Sequence, residues 1–181
     1  MIITLSGTNR PGSNTKIVAQ SIYSRLTNSG QKDALFFDLA ALRPEIFDPS
    51  SYGDKPQWFI EEFQKPVLAA SGMIVVTPEY NGSFPGVLKY FIDMLKFPES
   101  LVGLPVAFVG IAAGQFGALR SVEQLELIFH YRKAHIFGER LFVPAVHQSI
   151  MPTGSLGEHD ARLDGLVSGF IDYSRAIKST K

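Results

Sequence analysis

The fold is decided by a stretch in the middle of the chain that reads Met73-Ile74-Val75-Val76-Thr77-Pro78-Glu79-Tyr80-Asn81-Gly82-Ser83-Phe84-Pro85-Gly86. Its first four residues are an uninterrupted apolar run, which predicts a buried strand. A segment with helical spacing, residues 87–96, follows the stretch. The loop between them therefore lies at the carboxyl end of a buried strand, the edge where open α/β sheets bind small molecules. Its aromatic ring, amide, carboxylate and glycines suit a flat polar heterocycle.

Strand-like and helical segments alternate along the chain. Apolar residues at helical spacing, such as Leu88, Phe91, Ile92 and Leu95, form the stripe of a helix that packs on a sheet. This alternation predicts an α/β fold in which a parallel sheet has helices on both faces. The predicted strands are residues 2–6, 34–38, 73–77, 106–111 and 141–146.

Length and composition favour one domain. With 181 residues and 45% apolar content the chain can bury one core of ordinary size, so we expect a single domain over residues 1–181. The first residues lack the basic segment of a signal peptide, and no apolar run approaches the roughly 18 residues that span a bilayer. We therefore expect a soluble, cytoplasmic protein without a membrane partner.

Charge and residue types exclude several kinds of chemistry. The 17 basic and 17 acidic residues give a net charge of zero and no block of Lys or Arg stands out, so we expect no nucleic-acid partner. The absence of cysteine excludes thiolate nucleophiles, disulfides and zinc–cysteine sites. The four histidines include no pair at i, i+4 spacing, so we expect no metal site. Any chemistry must then come from oxygen or nitrogen groups or from a bound cofactor, and we expect no catalytic protein residue.

A second loop follows the first predicted strand and reads Ser6-Gly7-Thr8-Asn9-Arg10-Pro11-Gly12-Ser13-Asn14-Thr15. A helix begins near Lys16, and the N–H groups and dipole at a helix N-terminus favour an anion. Arg10 adds a positive charge. The loop has Ser13-Asn14 where a Walker loop has lysine, and it lacks the Gly-x-Gly-x-x-Gly dinucleotide motif. A monophosphate site remains, with a plain helix cap as the alternative.

The two loops together point to one ligand. Both follow strands of one parallel sheet, so both lie at its carboxyl edge. A monophosphate at one loop and a flat polar ring at the other suggest FMN. Backbone N–H groups in the turn of Tyr80, Asn81 and Gly82 can tune such a ring near N1 and N5. The alternative for Tyr80 is a surface tyrosine packed on Phe84.

These loops resemble those of the NADPH-dependent FMN reductases of the flavodoxin-like fold, a family that includes quinone, azo-dye and chromate reductases. Residues 7–15 are similar to the family's Gly-Ser-x-Arg-x-x-Ser-x-Asn, and residues 78–89 to its Pro-Glu-Tyr-Asn-x-Ser-x-Pro-Gly-x-Leu-Lys. Residues 114–120 look like its glycine-rich loop after the fourth strand. The resemblance covers almost the whole chain and implies a flavodoxin-like three-layer sandwich with a five-stranded parallel sheet in the order 2-1-3-4-5.

The resemblance also implies which residues bind FMN. In the family, residues that match Thr8, Arg10, Ser13 and Thr15 hold the phosphate, and those that match residues 78–81 border the isoalloxazine ring. Thr15 departs from the family's Asn, although a hydroxyl can replace the amide as a donor to phosphate. The predicted cofactor-binding residues are Thr8, Arg10, Ser13, Asn14, Thr15, Pro78, Glu79, Tyr80, Asn81, Gly82, Gly114 and Gln115.

An enzyme is the leading hypothesis for function. NADPH or NADH delivers hydride to N5 of FMN, and two electrons then pass to a flat small-molecule acceptor, such as a quinone, an azo compound or free flavin, with ping-pong kinetics. Arg120 or Arg10 attracts the nucleotide phosphates in this hypothesis. The alternatives are a flavodoxin-type single-electron carrier without pyridine nucleotide turnover and a nonredox nucleotide-binding module. Such carriers are usually strongly acidic, so the zero net charge favours the enzyme.

Two other segments allow more than one interpretation. Residues 129–137 mix large aromatics with basic residues, and they form either a nucleotide contact or, as we favour, the end of a helix in a subunit interface. The resemblance implies a homodimer or homotetramer. Residues 39–56 are polar and broken by proline, which predicts an ordered surface connection or part of a site wall before a helix at residues 58–68.

Overall fold

A computed structural model of the protein describes residues 1–151 and 153–179, so Pro152 and the last two residues of the predicted 1–181 domain lie outside the described part. Within that part, five strands form one sheet in the order β2-β1-β3-β4-β5, with every neighbouring pair parallel. The predicted strand order is therefore confirmed. The strands are β1 (Ile2–Ser6), β2 (Leu35–Asp38), β3 (Gly72–Pro78), β4 (Pro105–Ile111) and β5 (His135–Val143).

Helices cover both faces of the sheet. They are α1 (Asn14–Asn28), α2 (Gln57–Phe59), α3 (Lys65–Ala69), α4 (Gly86–Met94), α5 (Leu119–Tyr131), α6 (Val146–Ser149) and α7 (Asp160–Ser179). A π-helical turn, Ile60–Gln64, joins α2 to α3, so the predicted helix at 58–68 is present with a π turn inside it. Residues 39–56 form the predicted connection and contain short 3₁₀ turns. Among the described residues, no helix has both the length and the apolarity that crossing a bilayer requires.

Alternate side chains of the strands enter two separate cores. On β3, Val75 packs in one cluster with Phe91 of α4, whereas the next residue, Val76, packs in the other with Phe170 of α7. All four side chains are at most 1% exposed. Each buried side chain of this size contributes about 1.5–3 kcal/mol relative to an exposed one, so both helical layers are held to the sheet. The result is the predicted three-layer sandwich.

The fifth strand begins earlier than predicted. The sequence predicts residues 141–146, but β5 covers His135–Val143, and α6 begins at Val146. The early part of β5 was missed because it is an edge strand with exposed polar residues such as Glu139, so an apolar run marks only its buried end. Residues 129–137 are accordingly divided between the end of α5 and the start of β5. Phe129 lies in the core, where its ring meets Phe108 with centroids 5.3 Å apart.

Arg25 links helix α1 to helix α7 through two ion pairs. Arg25 of α1 donates from Nη2 to Asp160 at 2.6 Å and from Nε to Asp164 at 2.6 Å, and both carboxylates belong to α7. Burial alone would raise the pKa of Asp160. Hydrogen bonds from the Ser155 hydroxyl and the Leu156 N–H, together with the charge of Arg25, outweigh burial and hold that pKa below its ordinary value.

We expect Asp160→Asn to lower the free energy of unfolding by about 1–2 kcal/mol near pH 7, because it removes a charged acceptor of three donors. A pKa lowered in the native state adds stability above the unfolded pKa of about 3.9, and that stability is lost as the pH falls through the native value. The difference between variant and parent should therefore shrink near pH 3. Urea titrations at both pH values measure it.

Asp164→Asn is the matched control, because its carboxylate pairs with the same guanidinium but its side chain is 63% exposed. Solvent screening should make its loss smaller than that of Asp160→Asn. Equal losses of unfolding free energy in the two variants would contradict a stabilising role of the Asp160 carboxylate. A loss in Asp160→Asn that does not change with pH would contradict its lowered pKa.

Candidate functional site

The two loops of the site begin side by side because β1 and β3 are paired in parallel, with Ser6 beside Val76. The next residue, Gly7, donates its N–H to the Val76 carbonyl at 2.8 Å. A Cβ at Gly7 would lie 2.7 Å from that carbonyl oxygen and 3.0 Å from Leu88, which leaves no room for a side chain. Glycine at this position therefore lets the first loop leave the sheet directly against β3.

The first loop ends at the N-terminus of α1. Ser13 is the N-cap and its Oγ accepts from the Lys16 N–H at 3.2 Å, so the predicted helix cap is present. The cap does not exclude an anion, because the other N–H groups of the first turn have no partner within the helix. The Ser13 and Thr15 side chains are buried at this end of the helix, whereas Arg10 is exposed. Donors and positive charge therefore gather at one place.

A hydrogen bond links the two loops. The Thr8 and Tyr80 hydroxyl oxygens are 3.0 Å apart, and Thr8 Oγ1 also accepts from the Arg10 N–H at 3.3 Å. Thr8 is fully buried and Tyr80 is half-buried. A hydrogen bond of this kind contributes about 1 kcal/mol, enough to favour one relative position of the loops. The first loop therefore contacts Tyr80 directly, which the alternative of a surface tyrosine packed on Phe84 does not include.

The second loop closes in a tight turn. Tyr80 and Ser83 exchange two backbone hydrogen bonds, at 2.8 and 3.1 Å, while Asn81 and Gly82 have φ values of 52° and 77°. Two central residues with positive φ define a type I′ turn, for which Asn-Gly is the preferred sequence. Gln124 of α5 fixes the turn, because its Nε2 donates to the Gly82 carbonyl at 3.0 Å and its Oε1 accepts from Ser83 at 2.6 Å.

A cleft of about 420 Å³ lies between these loops, which is within the usual size of ligand pockets. Residues 10–15 of the first loop and residues 78–80 of the second line it, together with residues 111–113, Val146 and His147. The structure thus brings seven predicted residues into one cleft: Arg10, Ser13, Asn14, Thr15, Pro78, Glu79 and Tyr80. Thr8, Asn81 and Gly82 lie outside the lining but within the linked loops. Gly114 and Gln115 lie outside it too, exposed on the loop after β4.

Sequence reasoning missed the part of the lining that follows β4 and β5. Ala112 and Ala113 follow β4 directly. The first residue of α6 lies beside them, because the Val146 N–H donates to the Ala112 carbonyl at 3.0 Å. The side chain of His147 is exposed at this wall. The strand order alone could have indicated residues 111–113, since a parallel sheet places the end of β4 beside the end of β3.

One acidic side chain faces the cleft. Glu79 Oε1 accepts from Nη1 of Arg120 at 3.3 Å, whereas its Oε2 is buried and has no hydrogen-bond partner among the described residues. An unpaired buried acceptor is costly unless a ligand supplies a donor. Within residues 1–151 and 153–179, no group of three or more His, Cys, Asp or Glu side chains is arranged to hold a metal ion.

The residues present fit FMN. The donors at the N-terminus of α1 can bind its phosphate. The unpaired Oε2 of Glu79 can accept a hydrogen bond from the N–H of its ring system. The same cleft contains both features.

Proteins named as reductases resemble this chain, in two of the following cases over nearly its whole length and in the third over less than half of it. A quinone reductase of Escherichia coli strain K12 is 28% identical over 189 positions, covering 98% of this chain and 96% of that protein. An NADPH azoreductase of Bacillus sp. strain OY1-2 is 26% identical over 185 positions, covering 99% and 96%. An NAD(P)H-dependent FMN reductase of Pseudomonas aeruginosa is 36% identical over 80 positions, covering 43% and 40%.

Solved structures share the fold. FerB, a flavoenzyme NAD(P)H:(acceptor) oxidoreductase from Paracoccus denitrificans, superposes with a TM-score of 0.71 at 20% identity over 97% of both chains. The apo form of the NADH:FMN oxidoreductase EMOB gives a TM-score of 0.74 at 19% identity, over 93% of this chain and 87% of that one.

The sequence profile of the NADPH-dependent FMN reductases matches residues 1–148, which is most of the chain. The match confirms the predictions of an enzyme, of FMN as its cofactor and of NAD(P)H as its co-substrate. The chain therefore belongs to the NADPH-dependent FMN reductase family.

Proposed function

We propose that this NAD(P)H-dependent FMN oxidoreductase turns over by a ping-pong mechanism and passes two electrons to a flat acceptor, such as a quinone, an azo compound or free flavin. The observation that supports this best is the single cleft shared by a helix N-terminus, suited to a phosphate, and the Pro78–Tyr80 loop, suited to a ring. The quinone reductase and azoreductase relatives support the class of acceptor.

The first loop binds the phosphate in this proposal. The N–H groups at the start of α1 and the hydroxyls of Ser13 and Thr15 donate to its oxygens, and Arg10 supplies the positive charge. Lys16 is less available for this task, since its Nζ pairs with Asp38 at 2.8 Å. The phosphate anchors one end of the cofactor, which leaves the second loop to orient the ring.

The second loop holds the ring in this proposal. Pro78, Glu79 and Tyr80 border it, and the hydrogen bonds of Thr8 and Gln124 keep this border in one position. When bound, FMN supplies the redox chemistry by accepting a hydride from NAD(P)H and giving up two electrons. We infer that the nucleotide and the acceptor use one open face of the bound ring in turn, which gives ping-pong kinetics.

The oligomeric state and the cellular location remain predictions. Leu127 and Tyr131 of α5 are 71% and 75% exposed, and Phe97 beside them is 63% exposed. We propose that a second copy of the chain covers this surface in a homodimer or homotetramer. The cytoplasmic location expected from the sequence stays an expectation.

We expect Arg10→Ala to weaken the binding of FMN about tenfold and to leave riboflavin binding nearly unchanged, because only FMN carries the phosphate. Titration of the apoprotein, followed by the quenching of flavin fluorescence, gives both dissociation constants. Arg43→Ala is the control, since Arg43 lies over Trp58, outside the lining of the cleft. Equal losses for FMN and riboflavin would refute the phosphate role of Arg10.

We expect the FMN-loaded protein to lose its flavin absorbance rapidly when NADPH is added without oxygen, and to regain it when a quinone follows. A flavodoxin-type carrier would stay yellow after NADPH. Steady-state rates over a matrix of NADPH and quinone concentrations should give parallel double-reciprocal lines, whereas intersecting lines would exclude ping-pong turnover. The same assay with azo-dye and free-flavin acceptors ranks the acceptors by kcat/KM.

A further inference from the structure

An exposed aromatic ring and an exposed guanidinium lie together, and the guanidinium contacts Glu79 of the cleft lining. Phe116 is 50% exposed on the loop after β4, and the side chain of Arg120, in the first turn of α5, is 56% exposed. Neither residue lines the cleft itself. The proposed phosphate and ring sites use neither of them, so their arrangement needs its own explanation.

Two contacts hold the Arg120 side chain in place, and its stem lies near a third group. Its guanidinium carbon lies 5.3 Å from the centre of the Phe116 ring, and its Nη1 donates to Glu79 Oε1 at 3.3 Å. Its aliphatic stem runs beside the second loop, where a Cβ built on Gly82 would lie 4.0 Å from Arg120 Cδ. An exposed arginine usually samples many rotamers, so these contacts reduce the entropy that a ligand would otherwise have to remove.

The held guanidinium suits a phosphate. Arginine has five N–H donors in a planar fork, and the contact with Glu79 at 3.3 Å engages only one end of that fork. The fork matches phosphate oxygens in pairs, which a lysine ammonium cannot do. Arg120 also neutralises Glu79, whose carboxylate would repel an anion entering the cleft.

The co-substrate supplies such phosphates. NADH and NADPH carry a pyrophosphate, and NADPH carries a 2′-phosphate in addition. The FMN phosphate is accounted for at the start of α1, on the loop after β1, whereas Arg120 follows β4. We infer that a nicotinamide over the ring site leaves the rest of the nucleotide at the border of the cleft, where Arg120 contacts Glu79.

We propose that Arg120 binds a phosphate group of the nicotinamide nucleotide and that Phe116 orients its guanidinium. The proposal rests on the NAD(P)H-dependent function described above. It assigns Arg120 to binding of the co-substrate, and Phe116 to positioning.

The kinetic experiment uses the FMN-loaded protein with three hydride donors: NADPH, NADH and 1-benzyl-1,4-dihydronicotinamide, which has no phosphate. Arg120→Ala should raise KM for NADPH about tenfold and leave KM for the benzyl donor unchanged. A loss confined to NADPH identifies the 2′-phosphate as the group bound, and an equal loss with NADH identifies the pyrophosphate; either supports the proposal. An equal loss with the benzyl donor, or no loss with any donor, overturns it.

A binding experiment tests the same point without turnover. Calorimetry on the FMN-loaded protein should show that Arg120→Ala weakens ADP-ribose or adenosine 2′,5′-bisphosphate about tenfold, while the affinity for FMN, measured separately, is unchanged. Arg120→Lys should restore part of the affinity, since it keeps the charge but loses the fork. Phe116→Leu should weaken whichever ligand Arg120→Ala weakens, by a smaller factor. Unchanged affinity of Arg120→Ala for both ligands contradicts the proposal.

Arg140→Ala is the matched control. Arg140 also combines a carboxylate, Glu126 at 3.2 Å, with a phenyl ring, Phe142 at 5.6 Å, but it lies within β5 and outside the lining of the cleft. Its removal should change neither KM nor the calorimetric affinities. A parent protein that oxidises none of the three donors would contradict the proposed function itself, an outcome distinct from a failure of the Arg120 assignment.

Discussion

The site depends on the close approach of two backbones at the end of β1 and β3. Gly7 leaves β1 with its N–H on the Val76 carbonyl, at a distance that excludes any side chain. Because of this contact, the loop that leads to α1 and the loop that leads to α4 start side by side at one edge of the sheet. The Thr8–Tyr80 hydrogen bond then fixes their relative position. A cleft for a ligand with two chemically different ends follows from that arrangement.

Much of the fold could be predicted, because a parallel sheet constrains its own connections. Apolar runs identified the strands, and apolar residues at helical spacing identified the helices. Because strands and helices alternate, every loop after a strand lies at the same edge of the sheet. The early part of β5 could not be predicted in this way. As an edge strand it exposes residues such as His135 and Glu139, and its sequence therefore has the polar pattern of a surface connection. The buried Leu141 was recognised, whereas the residues before it were not.

The candidate site could be predicted where its residues have a chemical signature. Hydroxyls and a guanidinium at a helix N-terminus indicate an anion, and Asn81-Gly82 indicates a tight turn. Ala112 and Ala113 have no such signature, since their backbone and small side chains only shape the wall. Gly114 and Gln115 were predicted from the resemblance alone, and the structure places them one step beyond the lining. A resemblance can therefore identify a loop, whereas which residues of the loop line the cleft depends on the path of its backbone.

The zero net charge of the chain is consistent with binding of small ligands by single charged residues. Salt screens exposed charges beyond about 8 Å at physiological ionic strength. An electric field that steers a large protein partner from farther away therefore needs a large excess of one charge. A small nucleotide needs only a cation at the point of contact. The two cations that we propose for this role stand singly, with Arg10 beside the start of α1 and Arg120 beside Glu79, while Lys16 pairs with Asp38. An enzyme that acts on small anions requires positive charge where the phosphate binds. It does not require an excess of positive charge over the whole surface.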